Sequence, residues 1–218
     1  GSVNIQTAAD NLAVDTSAGG VTVSNTAPSG TLTVGTVDAV PGIDSNNTAI
    51  SVTETVGDVT LSSGVNAGTN TLAITLDGDD KLLDNNSALT GQGGVTLTAD
   101  KMALEGGTVA GGASTVTLKS KNGTDAIGLV ADATGDGAVN TLQLEDRELD
   151  TITAGALVIG DAAQTGTIVV SSVMTPALAP DLTLINNTGG IAVNAPVTAA
   201  SDLTLTANAG SAAVGAIT

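Results

Sequence analysis

The sequence predicts an all-β chain wound as a parallel β-helix, a solenoid of about ten coils with roughly 22 residues per coil. Three observations predict it. Apolar-x-apolar doublets recur from one end of the chain to the other, Gly, Asn and Asp cluster between them, and 218 residues contain no Phe, Tyr or Trp. Alternation with period two marks a strand with one buried face. Gly/Asn/Asp clusters are turn compositions. A sandwich of this size normally fills the space between its sheets with rings, so their absence favours an interior too narrow to hold them.

Taken in order, the doublets are Val3/Ile5, Leu12/Val14, Val21/Val23, Leu32/Val34, Ile50/Val52, Val59/Leu61, Leu72/Ile74 and Val95/Leu97 in the first half of the chain. Val116/Leu118, Leu142/Leu144, Leu157/Ile159, Ile168/Val170, Leu182/Leu184, Ile191/Val193, Leu203/Leu205 and Val214/Ala216 follow. The residue between the two is often a hydroxyl, as at Thr22, Thr33, Ser51, Thr60, Thr96, Thr117, Thr183 and Thr204, and is expected to face solvent. The stretches TSAGG, GDDKLLDNN and INNTGG read as turns, and no amphipathic helix of useful length is visible.

Spacing turns these strands into a solenoid. One series, Leu12, Leu32, Ile50, Leu72, Val95, Val116, Leu142, Ile168, Ile191 and Val214, advances by 18 to 26 residues at each step, within the range of solenoid repeats. A second series interleaves with it: Val3, Val21, Val40, Val59, Leu82, Met102, Ile127, Leu157, Leu182 and Leu203. Two strands per coil follow, and ten coils stacked at about 4.8 Å give a rod of roughly 48 Å. The competing reading is a tandem pair of β-sandwiches, which also use short alternating strands. Strand pairing separates the two, since a solenoid is parallel throughout.

Composition bounds the chemistry. Cys, His and Tyr are all missing, which removes disulfides, thiolate and imidazole catalysis and the usual ligands of zinc and iron. A formal net charge of −17, from 22 acids against 5 bases, disfavours nucleic acid and anionic membrane surfaces. No stretch reaches the roughly 18 apolar residues of a membrane span, and no signal peptide is visible.

The stretch NTLQLEDRELDTITAGALVIGDAAQTGTIVVSS (residues 140–172), followed by DLTLINNTGGIAVNAPVTAASDLTLTANAGSAAVGAIT (residues 181–218), resembles the repeat region of filamentous-haemagglutinin-like giant surface proteins. GGVTVSN, GDVTLSS and GGVTLTAD extend the resemblance more loosely to the rest. It implies a right-handed β-helix forming the shaft of a secreted or surface-attached adhesin of a Gram-negative bacterium, exported through a dedicated outer-membrane pore. A receptor would then be met through regions outside this segment. Residues 1–218 are expected to be one β-helical segment of a longer repetitive chain, since the sequence ends at GSAAVGAIT within what reads as another coil, without a polar cap. Gly1-Ser2 reads either as an appended dipeptide or as native, because GSV mimics GSAAV at 210–214.

Candidate chemistry is sparse. In LDGDDKLLD, Asp77, Asp79, Asp80, Lys81 and Asp84 offer paired carboxylates of the kind that cleave glycosidic bonds, but without aromatic platforms for sugar rings a solvated turn is the plainer expectation. Calcium is the one ion with candidate ligands, at Asp77, Asp79, Asp80, Asp132 and Asp136. Neither DGDD nor DATGDG follows the calcium-loop pattern with its closing Glu. No other cofactor is implied. The most charged string, LEDRELD (Glu145, Asp146, Arg147, Glu148, Asp150), reads as a solvated strand edge. Acceptor tripeptides begin at Asn46, Asn85, Asn122 and Asn186, as chance allows in an Asn/Thr-rich chain. Longer interruptions near 77–92 and 122–138 are expected as loop insertions. The expected role is a non-enzymatic shaft, with a self-assembling fibre or surface-layer subunit, stacking copies end to end, as the alternative. Thr-x-Thr pairs raise an ice-binding face as a further alternative, but 96/98 and 115/117 are followed by Asn140-Thr141 and Gln143, which breaks the ladder.

Overall fold

The computed structural model describes residues 1–132 and 138–214. It is all-β, with a single four-residue helix, Asp146–Leu149, among the described residues. The strands fall into long parallel sheets that form three faces around one aliphatic interior. The first face is a nine-stranded sheet in chain order: Val3–Thr7, Val21–Asn25, Ile50–Glu54, Thr71–Leu76, Gly94–Thr98, Thr115–Lys119, Ala156–Gly160, Asp181–Asn186 and Leu203–Ala207. The second face begins with Asn11–Leu12, Thr31–Val34, Asp58–Leu61, Leu82–Asn85 and Lys101–Ala103. It resumes as a separate sheet of Thr141–Glu145, Ala126–Val130, Ile168–Val170, Ile191–Val193 and Ala212–Val214. The third face runs Val14–Asp15, Ile43–Asp44, Val65–Asn66, Ala88–Thr90, Thr108–Ala110 and Ile152–Thr153, and a parallel bridge joins Met174 to Val197 further on.

Among the described residues only one strand pair is antiparallel, Thr36–Val37 with Val40–Pro41. Parallel pairing everywhere else counts against the tandem sandwiches, whose sheets are antiparallel. Like residues stack at each level. Val21, Ile50, Leu72, Val95, Val116, Leu157 and Leu182 form one buried column of the first face, and Val23, Val52, Ile74, Leu97, Leu118, Ile159 and Leu184 form the next. The hydroxyls between them remain outside the core, as expected. The inner doublets therefore contribute two knobs each to an interior lined by Val, Ile, Leu, Ala and Met, whereas Val3/Ile5 and Leu203/Leu205 are partly buried, Val214 is exposed and Ala216 lies outside the described residues.

The register corrects the expected bookkeeping. First-face steps are 18, 29, 22, 23, 21, 41, 25 and 21 residues from Val3 through Val21, Ile50, Leu72, Val95, Val116, Leu157 and Leu182 to Leu203. The two expected series each cross between faces: Leu12, Leu32, Leu142, Ile168 and Ile191 belong to the second face, whereas Ile50, Leu72, Val95 and Val116 belong to the first. Two insertions cause the slip. The 29-residue step holds the antiparallel hairpin, so Val40 is a hairpin residue and not a core doublet. The 41-residue step holds an added second-face strand, Ala126–Val130.

Two strands per level is also corrected to three through the middle of the chain. Third-face strands are two or three residues long and bury a single side chain each, such as Val65, Leu89, Val109 or Ile152, so they leave no doublet to find. Residues 77–92, expected as an interruption, contain the regular strands Leu82–Asn85 and Ala88–Thr90. There Leu83 and Asn85 point inward and Leu82 does not, which hid the alternation. The segment 122–138 contains Ala126–Val130, with 133–137 outside the described residues.

Candidate functional site

The chain turns from the first face to the second at a corner where a residue or short stretch must leave one sheet and enter the next. Backbone N–H groups at such a turn have no ladder partner and need another acceptor. A seam of buried polar side chains supplies it. Near one end, Glu54 is fully buried and its carboxylate accepts from Asn25 Nδ2 (2.6 Å), Ala27 N–H (3.0 Å), Val56 N–H (3.2 Å) and Gly57 N–H (3.0 Å). Asn25, also fully buried, accepts from Ala9 N–H at 2.9 Å and donates to Ala9 C=O at 2.9 Å. Near the other end, Gln164 donates to the carbonyls of Asp125 (2.5 Å) and Gly166 (3.2 Å) and accepts from Ser120 Oγ at 3.1 Å. Asn186 donates to Gly166 C=O at 2.5 Å and accepts from Gly190 N–H at 2.9 Å. Gly166 must stay glycine, since a Cβ there would run into the carbonyls of Thr124 and Asp125 one level below.

Mid-seam lies an acidic cluster that collects three of the calcium candidates. Asp79 Oδ1 accepts from Lys121 Nζ at 2.7 Å and from Asn122 Nδ2 at 3.2 Å, and the Lys121 hydrogen bond holds its carboxyl below the ordinary range. The same contact raises the Lys121 ammonium. Asp80 N–H donates to Asp100 Oδ2 (3.1 Å), and Asp80 Oδ1 accepts from Asn140 N–H (3.1 Å). Asp77 is exposed at the start of this turn, and its field reaches Lys121. Two acids that the sequence did not single out complete the group. Asp100, 1% exposed, accepts from Lys121 N–H (3.0 Å) and Asn122 N–H (3.3 Å) through Oδ1. Asp125, 7% exposed, has a buried Oδ2 with no hydrogen-bond partner. Burial, and next the charge of Asp100, push its carboxyl upward.

The remaining candidates do not join this cluster. Asp132 is exposed, and its charge acts on Glu105 and Arg147 at a different place. Asp136 lies outside the described residues. Among the described residues no group of three or more carboxylate, His or Cys side chains is disposed to hold a metal ion. Asp84 is an outward residue of the strand Leu82–Asn85, opposite Thr60, and is separated in the chain from the Asp77–Lys81 turn by Leu82 and Leu83.

The LEDRELD string departs from its expected solvated edge. Glu148 is 2% exposed and bridges the break between the two second-face sheets: Oε1 accepts from Leu104 N–H at 2.9 Å, and Oε2 from Glu145 N–H at 3.0 Å. Glu145 is buried too and takes Arg147 through Nε (3.2 Å) and the terminal guanidinium nitrogen (2.6 Å), which also lies 3.2 Å from Glu105. Burial, then a side-chain hydrogen bond with Glu145, and next the Glu145 charge raise Glu105. A Glu-x-x-Glu capping box closes the short helix. The string is thus the splice that seats the added strand.

Of the acceptor tripeptides, Asn85 and Asn186 are fully buried, which leaves their amides inaccessible in the folded chain. Asn46 and Asn122 donate to Ser17 C=O and Asp79. The hydroxyl row is also re-registered. Thr96 aligns with Thr117, not Thr115, and the full row starts at Asn4 and continues Thr22, Ser51, Ala73, Thr96, Thr117, Val158, Thr183, Thr204. It is broken at Ala73 and Val158 and not at residues 140–143. Among the described residues no helix is long and apolar enough to cross a membrane. No family model, curated protein or solved structure matches the chain.

Proposed function

We propose that this chain is a right-handed parallel β-helix of about nine coils that serves as a stiff, non-enzymatic shaft segment of a large secreted or surface-attached bacterial protein. The observation that carries the reading is the nine-stranded parallel sheet with its unbroken aliphatic columns. Handedness follows from the rule that crossovers between parallel strands of one sheet are right-handed in about 98% of cases. Eight intervals of about 4.8 Å separate the outermost first-face strands, a rod of roughly 38 Å. The buried acids support a structural role, because Glu54, Asp100 and Glu148 spend their oxygens on backbone N–H groups. The resemblance to filamentous-haemagglutinin-like repeats supports an extracellular setting and export through an outer-membrane pore, with any receptor engaged elsewhere in a longer protein. Calcium has no part in this reading.

A second reading, a fibre built by end-to-end stacking of copies, is favoured by one observation. The outermost strands Val3–Thr7 and Leu203–Ala207 each pair on one side only, and Val3, Ile5, Leu203 and Leu205 are only partly buried. Unpaired strand edges recruit further strands, and a head-to-tail contact that does not close yields filaments. Small-angle scattering and negative-stain microscopy over a concentration series test both. Discrete short rods at every concentration support the shaft, long ordered filaments the fibre, and a globular particle contradicts both.

A further inference from the structure

Among the described residues, Asp125 Oδ2 is the buried side-chain oxygen left without a hydrogen-bond partner. It sits where the turn Ser120–Asp125 wraps the Asp100 carboxylate, and Asp100 already accepts three backbone N–H groups, from Asp80, Lys121 and Asn122. Those three N–H groups fix the orientation of the Asp100 side chain and leave its oxygens acting as acceptors. The charged groups around Asp125 are Asp100 of the preceding level, Asp80 one level before that, and Lys121 of its own turn, on which Asp79 and Asp77 act. On the following side it meets the neutral Gln164, whose amide takes its backbone carbonyl, while Asp161 is paired with Lys119 at 2.9 Å. The Lys121 ammonium is engaged with Asp79 at 2.7 Å. An ionised Asp125 would add another anion beside Asp100, offset only in part by the hydrogen bond from the Asn122 side chain, and burial makes that charge costly.

We infer that Asp125 and Asp100 share one proton, Asp125 as the neutral acid donating through Oδ2 to the Asp100 carboxylate, and that this proton-binding site clamps the turn from which the added strand Ala126–Val130 departs. The seam then contains a pH-sensitive joint. Burial raises the folded-state pKa of Asp125 above its unfolded value, so its stabilisation is complete below the unfolded pKa and is lost as pH rises through the folded one. Above it, repulsion from Asp100 loosens Ser120–Asp125. That weakens the bonds from Thr165 and Gly166 N–H to Gly123 C=O, at 2.5 and 2.9 Å, which tie the next level down.

The test is a residue-resolved carboxyl NMR titration of the whole chain, with thermal unfolding of the wild type and Asp125→Asn from pH 4 to 8, each with calcium and with chelator. The site predicts that Asp125 titrates above the ordinary carboxylate range, each unit being a tenfold gain in proton affinity. Asn supplies a permanent donor to Asp100, so the variant should melt above the wild type at pH 8, and the difference should vanish at pH 4. An ordinary or lowered titration of Asp125 overturns the inference, and this readout stands even if the variant fails to fold. A calcium-dependent rise in wild-type melting that Asp125→Asn abolishes also overturns it, by assigning the orphan oxygen to a cation.

Discussion

Glu54→Ala tests whether the polar seam holds the corner. Glu54 is fully buried and is the acceptor for Asn25 Nδ2 and for the N–H groups of Ala27, Val56 and Gly57. Truncation removes all four acceptor contacts at once. An orphaned buried donor costs about 1–3 kcal/mol. Water entering the vacated space would recover part of this, so a net loss of about 3–5 kcal/mol is expected, against a total stability of about 5–15 kcal/mol for ordinary domains. Urea unfolding of the whole chain measures it from the shift in midpoint at constant slope. Glu54→Gln refines the reasoning: Oε1 keeps its three N–H donors, whereas the new Nε2 faces Asn25 Nδ2, donor against donor. That variant should lose less than Glu54→Ala, and pairing it with Asn25→Asp should give a favourable coupling in a double-mutant cycle. A loss below about 1 kcal/mol for Glu54→Ala would mean that the four N–H groups are served as well by solvent, and the structural role assigned to the seam would be wrong.

Three further outcomes follow. Replacing Leu182 or Ile168, both fully buried, with Asp places an unpaired charge in the core; hydrogen exchange should show protection lost across several levels, and wild-type stability in either variant would contradict the register. Glu148→Ala should cost about 2–4 kcal/mol by orphaning Leu104 and Glu145 N–H, with accelerated exchange in Ala126–Val130 and Thr141–Glu145 but not in Val21–Asn25; uniform loss would contradict the splice. Burial pushes Asp161 up, but the Lys119 ammonium and the N–H groups of Ala163 and Gln164 outweigh it and hold it below its ordinary value. Its contribution is therefore present above the unfolded pKa and lost as pH falls through the folded one, and Lys119→Met should flatten that acid limb by no more than about 1 kcal/mol, because both groups are about one-third exposed.

The all-β class and the parallel stacking were legible because both faces with long strands bury two side chains each, and doublets such as Leu72/Ile74 and Ile191/Val193 announce themselves. The third face was not, because a strand that buries only Val65 or Ile152 carries no period. Nor did the doublets say which face they belonged to. Val21/Val23 and Leu32/Val34 look alike in the chain, so a hairpin or an added strand shifts the phase without leaving a trace in the spacing. Asp77, Asp79 and Asp80 drew attention through local charge density, whereas Asp100 and Asp125 sit singly in the sequence and meet only because successive turns stack. Glu54 and Glu148 were hidden for a related reason: an acid at a strand end reads as solvated unless the N–H groups it must serve are known.

Parallel stacking of levels along one axis is the central claim, and spin-label distances test it most directly. The chain contains no native cysteine, so pairs can be introduced at outward first-face positions, Thr22 with Thr117, Thr183 or Thr204, which lie four, six and seven levels apart in the register. At about 4.8 Å per level, backbone separations of roughly 19, 29 and 34 Å are predicted, rising linearly with level number. Distances that do not rise with level, or a Thr22–Thr204 pair closer than Thr22–Thr117, would contradict the stacked parallel architecture.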